Sequence, residues 1–128
     1  MEKTNFEKLD IYQLSEKVPD QIWDIVSQWP VMAQRTVGEQ VIRSSDSIGA
    51  NIAEGSGRGT ATDNRRFLRM ARGSLYETRH WLRRAHKRNL LSPEQTDELS
   101  QLITELTPKL NAYIRRTNET VRKERTPN

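Results

Sequence analysis

The apolar residues of this chain recur at helical spacing in four stretches, and only short breaks separate them. At about 100° per residue, side chains three, four and seven positions apart share one helix face. The first stretch runs from about Asp10 to Trp29, with Ile11, Leu14, Val18, Ile22, Ile25 or Val26, and Trp29 in phase, and Pro30 ends it. Pro19 sits inside it, so a kink or a late start is expected. The second runs from about Gln34 to Glu54 and stops in the glycine-rich link GSGRG. The third starts with Thr60 or Thr62 as N-cap and continues to about Lys87. The fourth opens at Ser92-Pro93-Glu94-Gln95, where Ser is the cap, Pro takes the first helical position and Gln closes a capping box. Leu99, Leu102, Ile103, Leu106, Leu110, Tyr113 and Ile114 follow, with Pro108 expected to bend the helix.

No strand alternation of useful length competes with these patterns. Long amphipathic helices joined by short links pack antiparallel, so the sequence predicts an all-α, up-down four-helix bundle. Its 128 residues suit one domain. We place the bundle over residues 1–117 and expect the polar segment 118–128 to fray. The absence of cysteine excludes disulfides and thiolate chemistry. There is no long apolar run to span a membrane and no apolar core in MEKTNFEKLD to make a signal peptide. A soluble, cytoplasmic protein is expected.

Charge is distributed unevenly. Between Arg58 and Arg88 there are ten cations against two anions, Asp63 and Glu77. That segment therefore carries +8 in a chain whose total is +4, and the remainder carries −4. On a helix, Arg69, Arg72, Tyr76, Arg79, His80, Arg83 and Lys87 fall within about 60° of Arg65. Phe67, Met70, Ala71, Ser74, Thr78, Trp81, Leu82 and Ala85 take the opposite side. A face meant only for solvent usually intersperses Glu for i,i+4 pairing, whereas like charges at that spacing repel by a few tenths of a kcal/mol. The row points to an anionic partner, either nucleic acid or carboxylates of another subunit. Candidates for the second are Glu2, Glu7, Asp10, Glu16, Asp20 and Asp24. Nucleic-acid binding of this kind is mostly phosphate contact, strong at low salt and poor at reading sequence. Tyr76 and His80, inside the row, are candidates to stack on unpaired bases.

The second helix has its own pattern. Gln40, Arg43, Ser47, Asn51 and Glu54 fall in one narrow stripe, about a quarter turn from Val37, Val41, Ile48 and Ile52. One cation, one anion, two amides and a hydroxyl in line suggest a specified polar surface, able to hydrogen-bond within itself or to a partner. Nothing else suggests chemistry. GSGRG lacks a following Lys-Ser/Thr and a preceding strand. His80 and His86 are six apart, hence on different faces, and Glu94 with Asp97 and Glu98 sits in a first turn that favours anions. No catalytic residue, metal site or cofactor is expected, and the chain is not read as an enzyme.

The motifs FEKLDIYQL, IRSSDSIGANIAEGSGR and FLRMARGSLYETRHWL resemble a bacterial four-helix-bundle family, first noticed as products of intervening sequences in large-subunit ribosomal RNA genes. The matching positions are Phe6, Leu9, Tyr12 and Leu14; Arg43, Ser47, Ile48, Asn51, Ile52, Ala53, Glu54, Gly55 and Arg58; and Phe67, Leu68, Gly73, Ser74 and Glu77. The resemblance implies a homopentameric barrel of bundles. It also implies kinship with the accessory variability determinant proteins of diversity-generating retroelements, which bind nucleic acid and partner a reverse transcriptase. Carried over, Arg43, Asn51, Glu54 and Arg58 become candidates for the subunit contact. The chain departs from the pattern in its Arg-rich run from Arg65 to Arg88. The expected function is that of a non-enzymatic, oligomeric nucleic-acid-binding accessory protein; the alternative is an oligomeric scaffold with no nucleic-acid role. Trp23, Trp29, Trp81 and Met32 exceed what one thin core absorbs easily, so some are expected at subunit faces, with Trp81 assigned to the core.

Overall fold

The structure, a computed structural model, describes residues 6–125. Four long helices account for most of it: α1 (Asp10–Val26), α2 (Glu39–Ser56), α3 (Ala61–Lys87) and α4 (Pro93–Arg125). Among the described residues there are no strands. A 3-10 turn, Phe6–Lys8, precedes α1. A helical turn, Val31–Ala33, and a π-helical stretch, Gln34–Gly38, lead into α2 without a break.

The helices form a square in which α1 and α3 each neighbour α2 and α4. Cross-helix pairs set the directions. Lys109 meets Asp10 and Gln21 meets Glu98, which makes α4 antiparallel to α1. Arg65 meets Asn118 and Arg72 meets Asn111, which makes α4 antiparallel to α3. The core follows the sequence periodicity: Leu14, Val18 and Ile22 from α1, Val41, Ile48 and Ile52 from α2, Leu68, Ala71 and Leu75 from α3, and Leu99, Leu106 and Leu110 from α4 are all buried. Burying such side chains contributes about 1.5–3 kcal/mol each.

Two glycines let the helices approach. A Cβ on Gly49 would lie 2.9 Å from Ser15 Oγ, and one on Gly55 would lie 2.7 Å from Asn64 Oδ1 and 2.9 Å from Phe67 Cβ. The few buried hydroxyls are bonded, as buried polar groups must be. Thr78 donates to Ser44 Oγ at 2.9 Å across α2 and α3, and Ser15 donates to the Tyr12 carbonyl at 2.6 Å.

The helix ends show how short-range chemistry sets the boundaries. Thr60 accepts from the Asp63 N–H at 3.2 Å and caps α3. Ser92 and Gln95 form the reciprocal box, with Ser92 N–H donating to Gln95 Oε1 at 2.9 Å and Gln95 N–H donating to Ser92 Oγ at 3.1 Å. α3 ends on Asn89, at φ 60, while Leu90 N–H closes back on the Ala85 carbonyl at 2.9 Å.

Four expectations change. α1 ends at Val26, where Gln34 Nε2 donates to the Val26 and Ser27 carbonyls, each at 3.2 Å. Trp29 is still core: it is buried beyond the helix end, and its Nε1 donates to the Leu90 carbonyl at 2.8 Å. Pro19 does not delay the start of α1, which is continuous from Asp10 to Val26; like Pro108 in α4, it lies between buried neighbours that hold the helix on the core. The segment from Asn118 does not fray as far as Arg125. It continues α4, because Thr117 and Val121 extend the buried spacing of Leu110 and Ile114. Met70, placed on the apolar face of α3 by the helical wheel, is exposed, and Leu75 holds that face instead.

Candidate nucleic-acid interface

The outward face of α3 runs along its seam with α4. Arg65 and Arg72 are half-buried in that seam, while Arg69, Tyr76, Arg79, Arg83 and Lys87 are exposed. Arg65 Nη1 donates to Asn118 Oδ1 at 3.3 Å, and Arg69 Nη2 donates to the same oxygen at 3.5 Å. Arg72 Nη1 donates to Asn111 Oδ1 at 3.3 Å. The spacing is regular. Arg65 and Arg72 are seven residues apart on α3, and Asn118 and Asn111 are seven apart in the opposite direction on α4. One further step of seven brings Arg79 opposite Thr104, and both line one groove.

Amide acceptors orient a guanidinium without neutralising it, and amide oxygens bond less strongly than carboxylates. The ion pairs formed among the described residues lie elsewhere: Arg58–Glu54 at 2.6 Å, Arg66–Asp63 at 3.8 Å, and Lys109 with Asp10 at 2.9 Å and Glu105 at 3.5 Å. No carboxylate of the described residues is within pairing distance of Arg65, Arg69, Arg72, Arg79, Arg83 or Lys87. Among the described residues, the +8 of this segment is therefore largely uncompensated.

The two rings of the row differ. Tyr76 is exposed between Arg72 and Arg79. His80 packs edge-on against Trp81, with ring centroids 4.8 Å apart. Trp81 is half-buried rather than fully in the core, and its Nε1 donates to Glu77 Oε2 at 3.1 Å.

The α2 stripe does not form a side-chain network. Ser47 Oγ donates to the Arg43 carbonyl and Asn51 Nδ2 to the Ser47 carbonyl, both at 2.8 Å, so these bonds run back along the helix's own backbone. Glu54 pairs with Arg58, whose guanidinium also stacks over Phe67 at 4.7 Å. Arg43 is exposed and borders a depression with Trp23, Gln34, Glu39 and Ile42. The physical reason is spacing: each short polar side chain finds a carbonyl one turn back before it can reach its stripe neighbour.

Across the square, the α1–α2 seam is acidic. Glu16, Asp20 and Asp46 line a groove of about 180 Å³ with Tyr12, Ser15 and Gly49. Desolvation in the groove, and then the Asp20 charge, raise the Asp46 pKa. Tyr12 is raised by desolvation first and by Glu16 and Glu7 next. Asp10 is taken by Lys109, and Glu2 lies outside the described residues. One chain thus presents a basic seam and, on the opposite side of the square, an acidic one.

Sequence reasoning missed Asn111, Asn118 and Thr104. Their signal was present: the same seven-residue step as the arginines, read in the opposite direction on the next helix. Among the described residues no group of three His, Asp or Glu is placed to hold a metal, and no helix is long and apolar enough to cross a membrane.

The fold has a solved counterpart. A protein of unknown function from the S23 ribosomal protein family of Bacteroides thetaiotaomicron superposes with a TM-score of 0.72 at 23% sequence identity, over 81% of this chain and 97% of its own. No curated protein matches the chain. The family model for the 23S rRNA-intervening sequence protein matches residues 7–112, which includes α1, α2, α3 and most of α4. The chain belongs to the 23S rRNA-intervening sequence protein family.

Proposed function

We propose that this protein is a non-enzymatic, oligomeric nucleic-acid-binding accessory protein that holds RNA or DNA on the α3 face. The observation that carries this reading is the row Arg65, Arg69, Arg72, Arg79, Arg83 and Lys87, set on amides or left without carboxylate partners among the described residues. Guanidinium groups suit phosphate by shape and permanent charge. Family membership adds a link to ribosomal RNA genes by name. The likeness of the central motif to retroelement accessory proteins supports assistance to a reverse transcriptase as the setting, in a homopentamer. Trp23, 62% exposed, and Met32, 80% exposed, supply apolar anchors for subunit contact.

A gel-shift titration at several salt concentrations tests the binding. Affinity should fall steeply with salt, and Arg69, Arg72 and Arg83 changed together to Glu should abolish it. No binding at low salt, or binding indifferent to the triple change, overturns the proposal.

The acidic α1–α2 seam favours a second reading, a scaffold in which each basic seam is consumed by a neighbour's carboxylates. In that case high salt dissociates the oligomer. The nucleic-acid reading instead requires an assembly that survives salt while releasing its ligand.

A further inference from the structure

The Arg–Asn ladder changes at its third rung. At the first two rungs an asparagine fills the α3–α4 seam and accepts from the arginine. At the third, the shorter Thr104 faces Arg79, and the seam opens into a groove of about 340 Å³. Its floor is apolar, made by Leu82, Leu99 and Ile103, and Arg79 and Arg83 stand on one wall. Neither arginine has a protein acceptor among the described residues. The opposite wall carries the hydroxyls of Ser100 and Thr104, both on exposed positions.

This combination selects its ligand. Two guanidiniums one helical turn apart fit a phosphate, but a bare phosphate would leave the apolar floor wet. The volume lies in the range of small-molecule sites, about 300–1,000 Å³. A planar base with hydrogen-bonding edges fills such a floor and meets the hydroxyl wall. The groove also continues the line of Arg65, Arg69 and Arg72, along which a polyanionic backbone would run. Resting on the nucleic-acid reading above, we propose that this groove takes one unstacked nucleotide of a single strand, its base over Leu82, Leu99 and Ile103 and its phosphate on Arg79 and Arg83. A base within a duplex is stacked and paired, and must be extruded before it can enter. The protein therefore prefers single strands.

Fluorescence anisotropy with a labelled oligouridine single strand and a blunt RNA duplex of equal length, at the same low salt, tests this. The wild-type protein should bind the single strand about tenfold more tightly, the worth of one buried base face. Thr104→Phe, and separately Ser100→Phe, fill the groove from exposed positions without removing a cation. Each should reduce single-strand affinity to the duplex level and leave duplex binding within about twofold, because duplex binding depends on phosphate contacts alone. Equal affinity of the wild-type protein for both probes overturns the groove's role, as does a preference that survives both substitutions. If the wild-type protein binds neither probe, the underlying nucleic-acid reading falls too, so the two failures are distinguishable.

Discussion

Arg72 on α3 donates to the side-chain oxygen of Asn111 on α4 at 3.3 Å, and the acceptor carries no charge. The same is true one ladder step away, where Asn118 takes Arg65 and Arg69. Asparagine fixes the direction of each guanidinium while leaving its charge available. Aspartate at either position would fix it equally well and cancel the charge. Asn111→Asp with Asn118→Asp should therefore separate structure from binding. Stability should hold or rise by about 0–1 kcal/mol, the worth of surface pairs. Nucleic-acid affinity at low salt should fall, and the slope of log K against log salt should shrink by about 2, one unit per cancelled cation. Urea unfolding and a salt titration of binding measure the two effects, and an unchanged slope would show that the ladder does not touch phosphate.

The buried pair Thr78 and Ser44 joins α3 to α2 at 2.9 Å. Thr78→Val keeps the shape, removes the donor and leaves the Ser44 hydroxyl with only its bond to the Val41 carbonyl. The expected cost is about 1 kcal/mol, read as a lower urea midpoint at unchanged m. A neutral result would mean that the two helices are held by apolar packing alone.

At Asn89 the backbone is left-handed, φ 60, and ends α3. A side chain with a Cβ and no local polar group is strained there by about 1–2 kcal/mol. Asn89→Ala should lower stability by roughly that amount, and Asn89→Gly should not. Thermal unfolding of the two variants side by side checks this. Equal losses would indicate that the Asn side chain, rather than backbone conformation, matters.

Asp46 gives a pH dependence of definite sign. Its pKa is raised in the fold, by desolvation first and Asp20 second, so the folded state holds the proton more tightly than the unfolded chain. Its contribution is then most favourable at low pH and is lost as pH rises from the unfolded value, about 3.9, through the raised folded value. Asp46→Asn should raise the Tm at pH 7 and leave it nearly unchanged below about pH 4. A lower Tm at pH 7 would mean that Asp46 makes a stabilising contact in the acidic groove.

The fold was legible because its determinants are local and periodic. Ile11 to Ile22 and Leu99 to Ile114 declare their faces by spacing, and Thr60 and Ser92 with Gln95 declare helix starts by cap chemistry. What failed was judged from single residues. Pro19 alone allows a late helix start, but buried residues on both sides keep α1 helical from Asp10. The polar segment after Asn118 looks frayed, yet Thr117 and Val121 keep it on the bundle. The cationic row was legible for the same reason as the core. Its asparagine partners share the seven-residue step, but matching them to the arginines needs the register between two antiparallel helices, which depends on loop length and packing and which no single-helix wheel contains.

Trp23 and Met32 carry the last expectation. They are 62% and 80% exposed, and Trp23 borders the depression that contains Arg43 and Ile42. Large apolar side chains left in water beside such a depression are typical anchors of a protein contact. Trp23→Ser with Met32→Ser should therefore lower the mass measured by light scattering while leaving the helical circular dichroism of the chain intact, since neither side chain belongs to the buried core. The same variant separates the two functional readings. If the basic row serves nucleic acid, the dissociated chain keeps a salt-sensitive but weaker affinity, because cations once gathered on one particle now act singly. If the row serves neighbouring subunits, dissociation uncovers it, and affinity for a polyanion rises.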